Sequence, residues 1–140
     1  MKHKASAVWS GSLKEGKGSL STGSGVLSAT PYSFRTRFEG EKGTNPEELI
    51  GAAHAGCFSM AFSMILGMAG FTPDKIETTA TISLEPKDGG FAITASHLEM
   101  TASIPGIDDA TFQDLAAKAK AGCPVSKVLN ATITLDAKLA

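Results

Sequence analysis

The chain has 140 residues, 42% of them apolar and 19% charged, with a formal net charge of −1. That length suits one domain, 1–140. A chain of this size buries roughly two-thirds of its unfolded surface, so it stands without disulfide or metal staples. The balance of apolar and charged residues excludes a disordered chain, and the lack of any basic run or basic-aromatic stripe excludes nucleic acid as a partner.

Met1 to Gly11 holds two lysines but neither an apolar h-region nor a cleavage site, so no signal peptide is expected and the location is cytoplasmic. The first third reads as a meander of short antiparallel strands. Lys4 to Trp9 alternates loosely, Gly16 to Thr22 follows a Gly-rich turn, and Tyr32 to Phe38 alternates aromatic with polar residues. Gly23 and Gly25 punctuate the gap. Glu39 to Thr44 is a polar connection, and a helix start follows it. Asn45 is a good N-cap, Pro46 suits the first helical position, and Glu48 falls where a capping box places its acid. The helix is expected to run to Ala69, with Gly70 as its stop and Pro73 beyond. Ile50, Ala53, Cys57, Met60 or Ala61, Met64 and Met68 recur at helical spacing on one face. Leu49 to Thr72 carries no formal charge and is long enough to span a bilayer. It also contains His54, Ser59, Ser63 and four glycines, so a buried central helix explains it better and no membrane is expected. That helix is apolar almost all round. One small sheet covers only part of it, which points to a homodimer.

Ile76 to Leu84 and Phe91 to Ile104 form a long hairpin around the turn Pro86 to Gly90. After Pro105-Gly106, Asp108 caps a helix from Asp109 to Ala121, stopped by Gly122; Pro124 to Leu129 starts another, and Ala131 to Leu139 alternates as a closing strand. The order βββ-α-ββ-α-α-β is an α+β plan, with antiparallel sheet packed on a long hydrophobic helix.

Two cysteines, Cys57 and Cys123, carry the chemical interest. They form no CxxC, and their bland reading is two buried thiols acting as small hydrophobes. Cys123 precedes Pro124 and so falls at a helix N-cap, where orphan N–H groups favour a thiolate. Cys57 lies deep in its helix, where burial alone raises a thiol pKa. A reactive Cys57 therefore needs a cation from elsewhere, and Arg35 and Arg37, on the strand that feeds the helix, are the only arginines. Glu47 is either a solvated first-turn acid or the bidentate holder of one of them. Along the helix it is separated from Cys57 by about 15 Å, so it would serve the Cys57 site of a partner subunit. Lowering a thiol pKa from about 8.5 to about 6 raises the thiolate fraction at pH 7 about thirtyfold. The lost basicity takes back about tenfold at a Brønsted slope near 0.45. Acidifying the thiol is therefore not enough, and the arginine must also act on whatever the thiol attacks, in the manner of an oxyanion hole. For His54, one turn before Cys57, a packed or surface-pointing role is favoured over a catalytic base. Two cysteines and a histidine lack the ligand spacing of a zinc site, so no metal is expected.

RFEGEKGTNPEELIGAAHAGCFSMA, from Arg37 to Ala61, closely resembles the OsmC branch of the OsmC/Ohr family. KAKAGCPVSKVLNATITLDAKL, from Lys118 to Leu139, resembles it too, as do FTPDKIETTA and GKGSLSTGSGVL. The resemblance covers nearly the whole chain; Gly56, where alanine is commoner, is a small departure. It implies an OsmC-like fold of antiparallel sheets around long central helices in an intertwined homodimer. It also implies an antioxidant, stress-response enzyme that reduces organic hydroperoxides, and more weakly hydrogen peroxide, without a bound cofactor or metal. By the same resemblance Cys57 is the peroxidatic cysteine, Cys123 the resolving one, Arg37 the assisting arginine and Glu47 its partner. The expected reductant is an external dithiol of the dihydrolipoyl type, carried by a lipoylated protein. Phe58, Met60, Phe62 and Met64 are candidates to line a pocket for an apolar peroxide tail, against the plainer reading of core. The competing functional reading is a non-catalytic redox sensor or binding module, switched by the same Cys57–Cys123 disulfide.

Overall fold

A computed structural model describes residues 1–140. The elements are β1 (Ala5–Ser10), β2 (Lys17–Thr22), β3 (Thr30–Tyr32), α1 (Phe34–Phe38), α2 (Pro46–Met68), β4 (Lys75–Lys87), β5 (Gly90–Ser103), α3 (Asp109–Gly122), α4 (Pro124–Val128) and β6 (Thr132–Leu139). They fall into two compact units, Met1–Leu49 and Ile50–Ala140.

In the first unit β1, β2 and β3 form an antiparallel sheet in that order. Its large apolar residues are not sequestered within the chain: Val8, Leu13 and Val26 are all exposed. The segment Tyr32 to Phe38 is not the strand its alternation suggests. It divides at Ser33, whose Oγ accepts from the Thr36 N–H at 3.2 Å while Thr36 Oγ1 accepts from the Ser33 N–H at 2.9 Å. This reciprocal box starts α1 and outweighs the period-two pattern. Arg35 and Arg37 therefore sit in the last turn of a short helix.

The helix α2 starts and stops as its sequence signals indicate. Asn45 Oδ1 accepts from the Glu48 N–H at 2.8 Å. At the other end Gly70 adopts φ +86. The Phe71 N–H reaches the Leu66 carbonyl and the Gly70 N–H that of Gly67, the double bond of a Schellman cap.

The second unit is a three-stranded sheet, β4-β5-β6, with α2 and α3 supplying its core. β4 and β5 pair antiparallel through the two-residue turn Asp88-Gly89, both at positive φ as a type I′ turn requires. One pairing departs from the all-antiparallel plan: β6 runs parallel to β5, with Ala95 opposite Thr132 and Ala102 opposite Leu139. A parallel neighbour needs a long crossover, and α3 with α4 provides it.

Phe58, Phe62 and Leu66 of α2, Leu98, Met100 and Ala102 of β5, and Phe112, Leu115, Ala116 and Ala119 of α3 form the core. Phe62 stacks against Phe58 at 6.1 Å and meets Phe112 edge-on at 5.7 Å. The buried side of α2 is thus Gly51, His54, Phe58, Phe62 and Leu66, turned by about one residue from the Ile50-to-Met68 face. A helix apolar on every side does not announce which side meets the sheet. The two largest rings and a glycine decide it. A Cβ on Gly51 would lie 3.1 Å from the Ala80 carbonyl oxygen of β4, so this position is where the helix backbone approaches the sheet.

Candidate active site

Cys57 and Cys123 are brought together in the second unit, and both are free thiols. Cys57 is half-buried on α2, while Cys123 is fully buried between α3 and α4. The Cys57 pKa is raised, first by burial and then by hydrogen bonding with the Cys123 thiol, with a smaller opposing pull from the Val125 backbone N–H. The helix-start expectation therefore needs correction. Cys123 does occupy the N-cap of α4, but its side chain makes no capping hydrogen bond. The Val125 N–H, in the first turn of α4, acts on Cys57, whose pKa it pulls down.

His54 is a packed histidine, as favoured above, but a hydrogen-bonded one. Its ring is inaccessible, with Nδ1 at 2.6 Å from Ser96 Oγ and Nε2 at 2.8 Å from Ser126 Oγ. Burial holds its pKa below the ordinary value, which favours the neutral ring.

In the first unit Arg37 and Glu47 form the bidentate pair. Arg37 Nη2 donates to Glu47 Oε1 at 2.7 Å, and Nε donates to both carboxylate oxygens at 3.2 Å. The guanidinium also lies 5.2 Å from the Phe38 ring centroid. Arg35 is a different residue in kind. It is exposed and paired only with Glu39 and Glu41 at the surface.

The four tail-pocket candidates do not form one lining. Phe58 and Phe62 are core, whereas Met60 and Met64 are 77% and 62% exposed on another side of α2. Two positions along a helix turn a side chain by about 200°, so 58 and 60 cannot share a wall. The apolar cavity beside the ion pair lies instead in the first unit. It holds about 270 Å³ and is lined by Trp9, Leu13, Tyr32, Ser33, Phe34, Arg37, Phe38 and Pro46. Its sequence signal was the crowding of aromatics around Arg37, which reads equally well as an ordinary strand face.

A family model described as OsmC-like protein matches residues 39–138. The chain is 63% identical over 136 residues to Peroxiredoxin OsmC of Escherichia coli, covering 97% of this chain and 95% of that one. It belongs to the OsmC family. Another relative is the Organic hydroperoxide resistance protein of Xanthomonas axonopodis pv. citri, 31% identical over 72% of this chain and 70% of that one. Among solved structures, that of the organic hydroperoxide resistance protein OhrB of Bacillus subtilis has a TM-score of 0.70 at 25% identity, covering 98% of both chains. An OsmC-like protein of unknown function from Vibrio cholerae has a TM-score of 0.77 at 15% identity, over 98% of this chain and 99% of that one, a likeness of fold alone. The α+β OsmC fold expected from the sequence is therefore the fold observed. Within it α2 is the one helix long and apolar enough to cross a membrane, and its Phe58, Phe62 and Leu66 belong to the core.

Proposed function

We propose that this OsmC-family protein is a thiol peroxidase that reduces organic hydroperoxides, and hydrogen peroxide more weakly, with Cys57 as peroxidatic and Cys123 as resolving cysteine. The observation that carries this reading is the meeting of two free cysteines, 57 and 123, in one core, near enough for one thiol to shift the pKa of the other. The names of its relatives, a peroxiredoxin and organic hydroperoxide resistance proteins, support the same chemistry.

The Cys57 thiolate attacks the peroxide oxygen distal to the organic group. The O–O bond breaks, the alkoxide leaves and takes a proton, and Cys57 becomes a sulfenic acid. The Cys123 thiol then attacks that sulfur, forming the Cys57–Cys123 disulfide and releasing water. An external dithiol of the dihydrolipoyl type, on a lipoylated protein, reduces the disulfide by two exchange steps and is itself oxidised. No bound cofactor or metal enters the cycle.

Burial works against the first step, because it holds the proton on Cys57. The proposed compensation is Arg37, fixed by Glu47, which orients the peroxide and stabilises the departing alkoxide. Ten residues of helix separate Glu47 from Cys57, so the pair acts at the Cys57 site of the second subunit of a homodimer. The dimer is supported by α2, whose Met60, Met64 and Met68 are 77%, 62% and 81% exposed in the single chain. The apolar tail of the substrate is assigned to the cavity between Trp9 and Phe38 beside Arg37. The whole cycle belongs in the reducing cytoplasm.

Steady-state consumption of cumene hydroperoxide with dihydrolipoamide tests the reading. The intact protein turns over many equivalents, Cys57→Ser none, and Cys123→Ser consumes about one equivalent and stops. Full turnover by Cys57→Ser, or a halt of the intact protein after one equivalent as a sensor would show, refutes it.

A further inference from the structure

The element that carries Cys123 is weak by itself. α4 has five residues; at its two ends the Lys127 N–H donates to the Cys123 carbonyl and the Leu129 N–H to the Val125 carbonyl, both at 3.1 Å. So short a helix has no stability of its own in water. Ser126, at its centre, is tied to the 2.8 Å contact with His54 Nε2, and the other ring nitrogen is held at 2.6 Å by Ser96 on the central strand β5. His54 and Ser96 are both inaccessible to solvent. A neutral imidazole has one donor and one acceptor, and each hydroxyl can be either, so the chain Ser96–His54–Ser126 satisfies both ring nitrogens. It links β5, α2 and α4 through a residue one helical turn before Cys57.

We propose that His54 is a positioning residue, which with Ser96 and Ser126 forms a strut that keeps Cys123 on Cys57 while the disulfide forms. The inference rests on the peroxidase reading and concerns its second step. A Cys57 sulfenic acid has two fates. With the Cys123 thiol it gives the disulfide and water. With a second hydroperoxide it gives the sulfinic acid and an alcohol, the sulfur being oxidised and the O–O bond reduced. The strut favours the first fate by holding the start of α4 in place.

The test treats the reduced full-length protein with graded excess cumene hydroperoxide and measures, by mass spectrometry, Cys57 as disulfide and as sulfinic acid. Ser126→Ala removes one end of the strut. It is expected to lower the disulfide-to-sulfinic ratio about fivefold, which converts to about 1 kcal/mol, the net worth of one hydrogen bond. Ser126→Thr keeps the hydroxyl and restores the intact ratio. Ser96→Ala, which frees the far end of the ring, shifts the ratio in the same direction as Ser126→Ala. A merely structural role would lower the melting temperature and leave the ratio unmoved. That result in Ser126→Ala or Ser96→Ala overturns the proposal, as does a Thr variant no better than Ala. If the intact protein forms neither product on Cys57, the peroxidase reading itself fails and takes this inference with it.

Discussion

Replacing Glu47 by Gln keeps the side-chain shape and removes the charge that organises Arg37. In the intact protein the carboxylate accepts from Arg37 Nη2 at 2.7 Å and from Nε at 3.2 Å to each oxygen. A glutamine has one oxygen left to accept, and it turns an N–H group toward a guanidinium that has only donors. A hydrogen bond to a charged group contributes about 1.5–3 kcal/mol when protected from water, whereas exposed ion pairs contribute about 0–1. Glu47 is 12% exposed and Arg37 36%, between these limits, so solvent screening discounts the larger figure. The expected loss of stability is about 1–1.5 kcal/mol, read from urea unfolding. The proposed role predicts more than that. In single-turnover peroxide consumption, Glu47→Gln keeps the guanidinium but loses its orientation, for a slowing of about tenfold, equivalent to about 1.4 kcal/mol. Arg37→Gln removes the charge itself and slows the step by about 100-fold or more. Arg37→Lys keeps a charge without the planar fork and stays close to Arg37→Gln. A Glu47→Gln protein that is destabilised yet reacts at the full rate would reduce the pair to scaffolding. An Arg37→Lys protein with full activity would remove the orientation argument.

The raised Cys57 pKa makes stability depend on pH in a stated direction. The folded chain binds the thiol proton more tightly than the unfolded one, first through burial and then through Cys123. This contribution is therefore fully present below the unfolded thiol pKa and is lost as pH rises through the folded one, with a slope of at most about 1.4 kcal/mol per pH unit. Urea midpoints measured from neutral to alkaline pH should fall in the intact protein and flatten in Cys57→Ser; equal slopes would contradict the linkage. Phe62→Ala removes a fully buried ring that packs on both Phe58 and Phe112. It should cost about 3–5 kcal/mol in unfolding free energy, and a loss under about 1.5 kcal/mol would mean the core collapses to fill the space. Two glycines of α2 should respond in opposite senses. Gly51→Ala drives a Cβ toward the Ala80 carbonyl and lowers the melting temperature, whereas Gly56→Ala meets nothing within 4 Å and raises stability by up to about 1 kcal/mol. Stabilisation of both would show that the approach of α2 to β4 is not as close as described.

Both ends of α2 and the start of α3 were legible because capping is local chemistry, whereas Gly122, expected to stop α3, is its last helical residue and Cys123 takes the C-cap. Asn45, Gly70 and Asp108 announce themselves within four residues of the bonds they make. The misread segment, Tyr32 to Phe38, was also decided locally, by Ser33 and Thr36, but their capping box competed with an alternation of aromatics that favoured a strand. The buried side of α2 was illegible for a different reason. Its residues are apolar around the whole circumference, so hydrophobic period carries no direction, and the side that meets β5 and α3 is chosen by the shapes of Phe58, Phe62 and Phe112 in three dimensions. The parallel pairing of β6 lies further still from local signals. An alternating strand such as Thr132–Leu139 has the same pattern in either direction, and only the path of α3 and α4 decides it.

The candidate site follows the same division. Residue types marked the candidates, because a thiol, a fork-shaped cation and an acid are informative wherever they occur, and the family resemblance supplied the chemistry expected of them. The scarcity of arginines left Arg35 and Arg37 as the two candidates to meet Glu47, and only the family resemblance singled out Arg37. Which donor serves which sulfur was not foreseeable, because a helix start seen in sequence belongs to its own N-cap residue, whereas in the fold its free N–H groups serve whatever lies across from them. The Val125 N–H lies across from Cys57. This exchange has a chemical consequence for the proposed cycle. The same short α4 start would present the resolving thiol and a donor to the sulfur it must attack, so both steps depend on one element being held still. An isolated five-residue helix does not hold itself. The buried histidine one turn before Cys57 thus acquires a reason to be polar in an otherwise apolar core, since a leucine there could fill the volume but could not reach Ser96 and Ser126 together with hydrogen bonds.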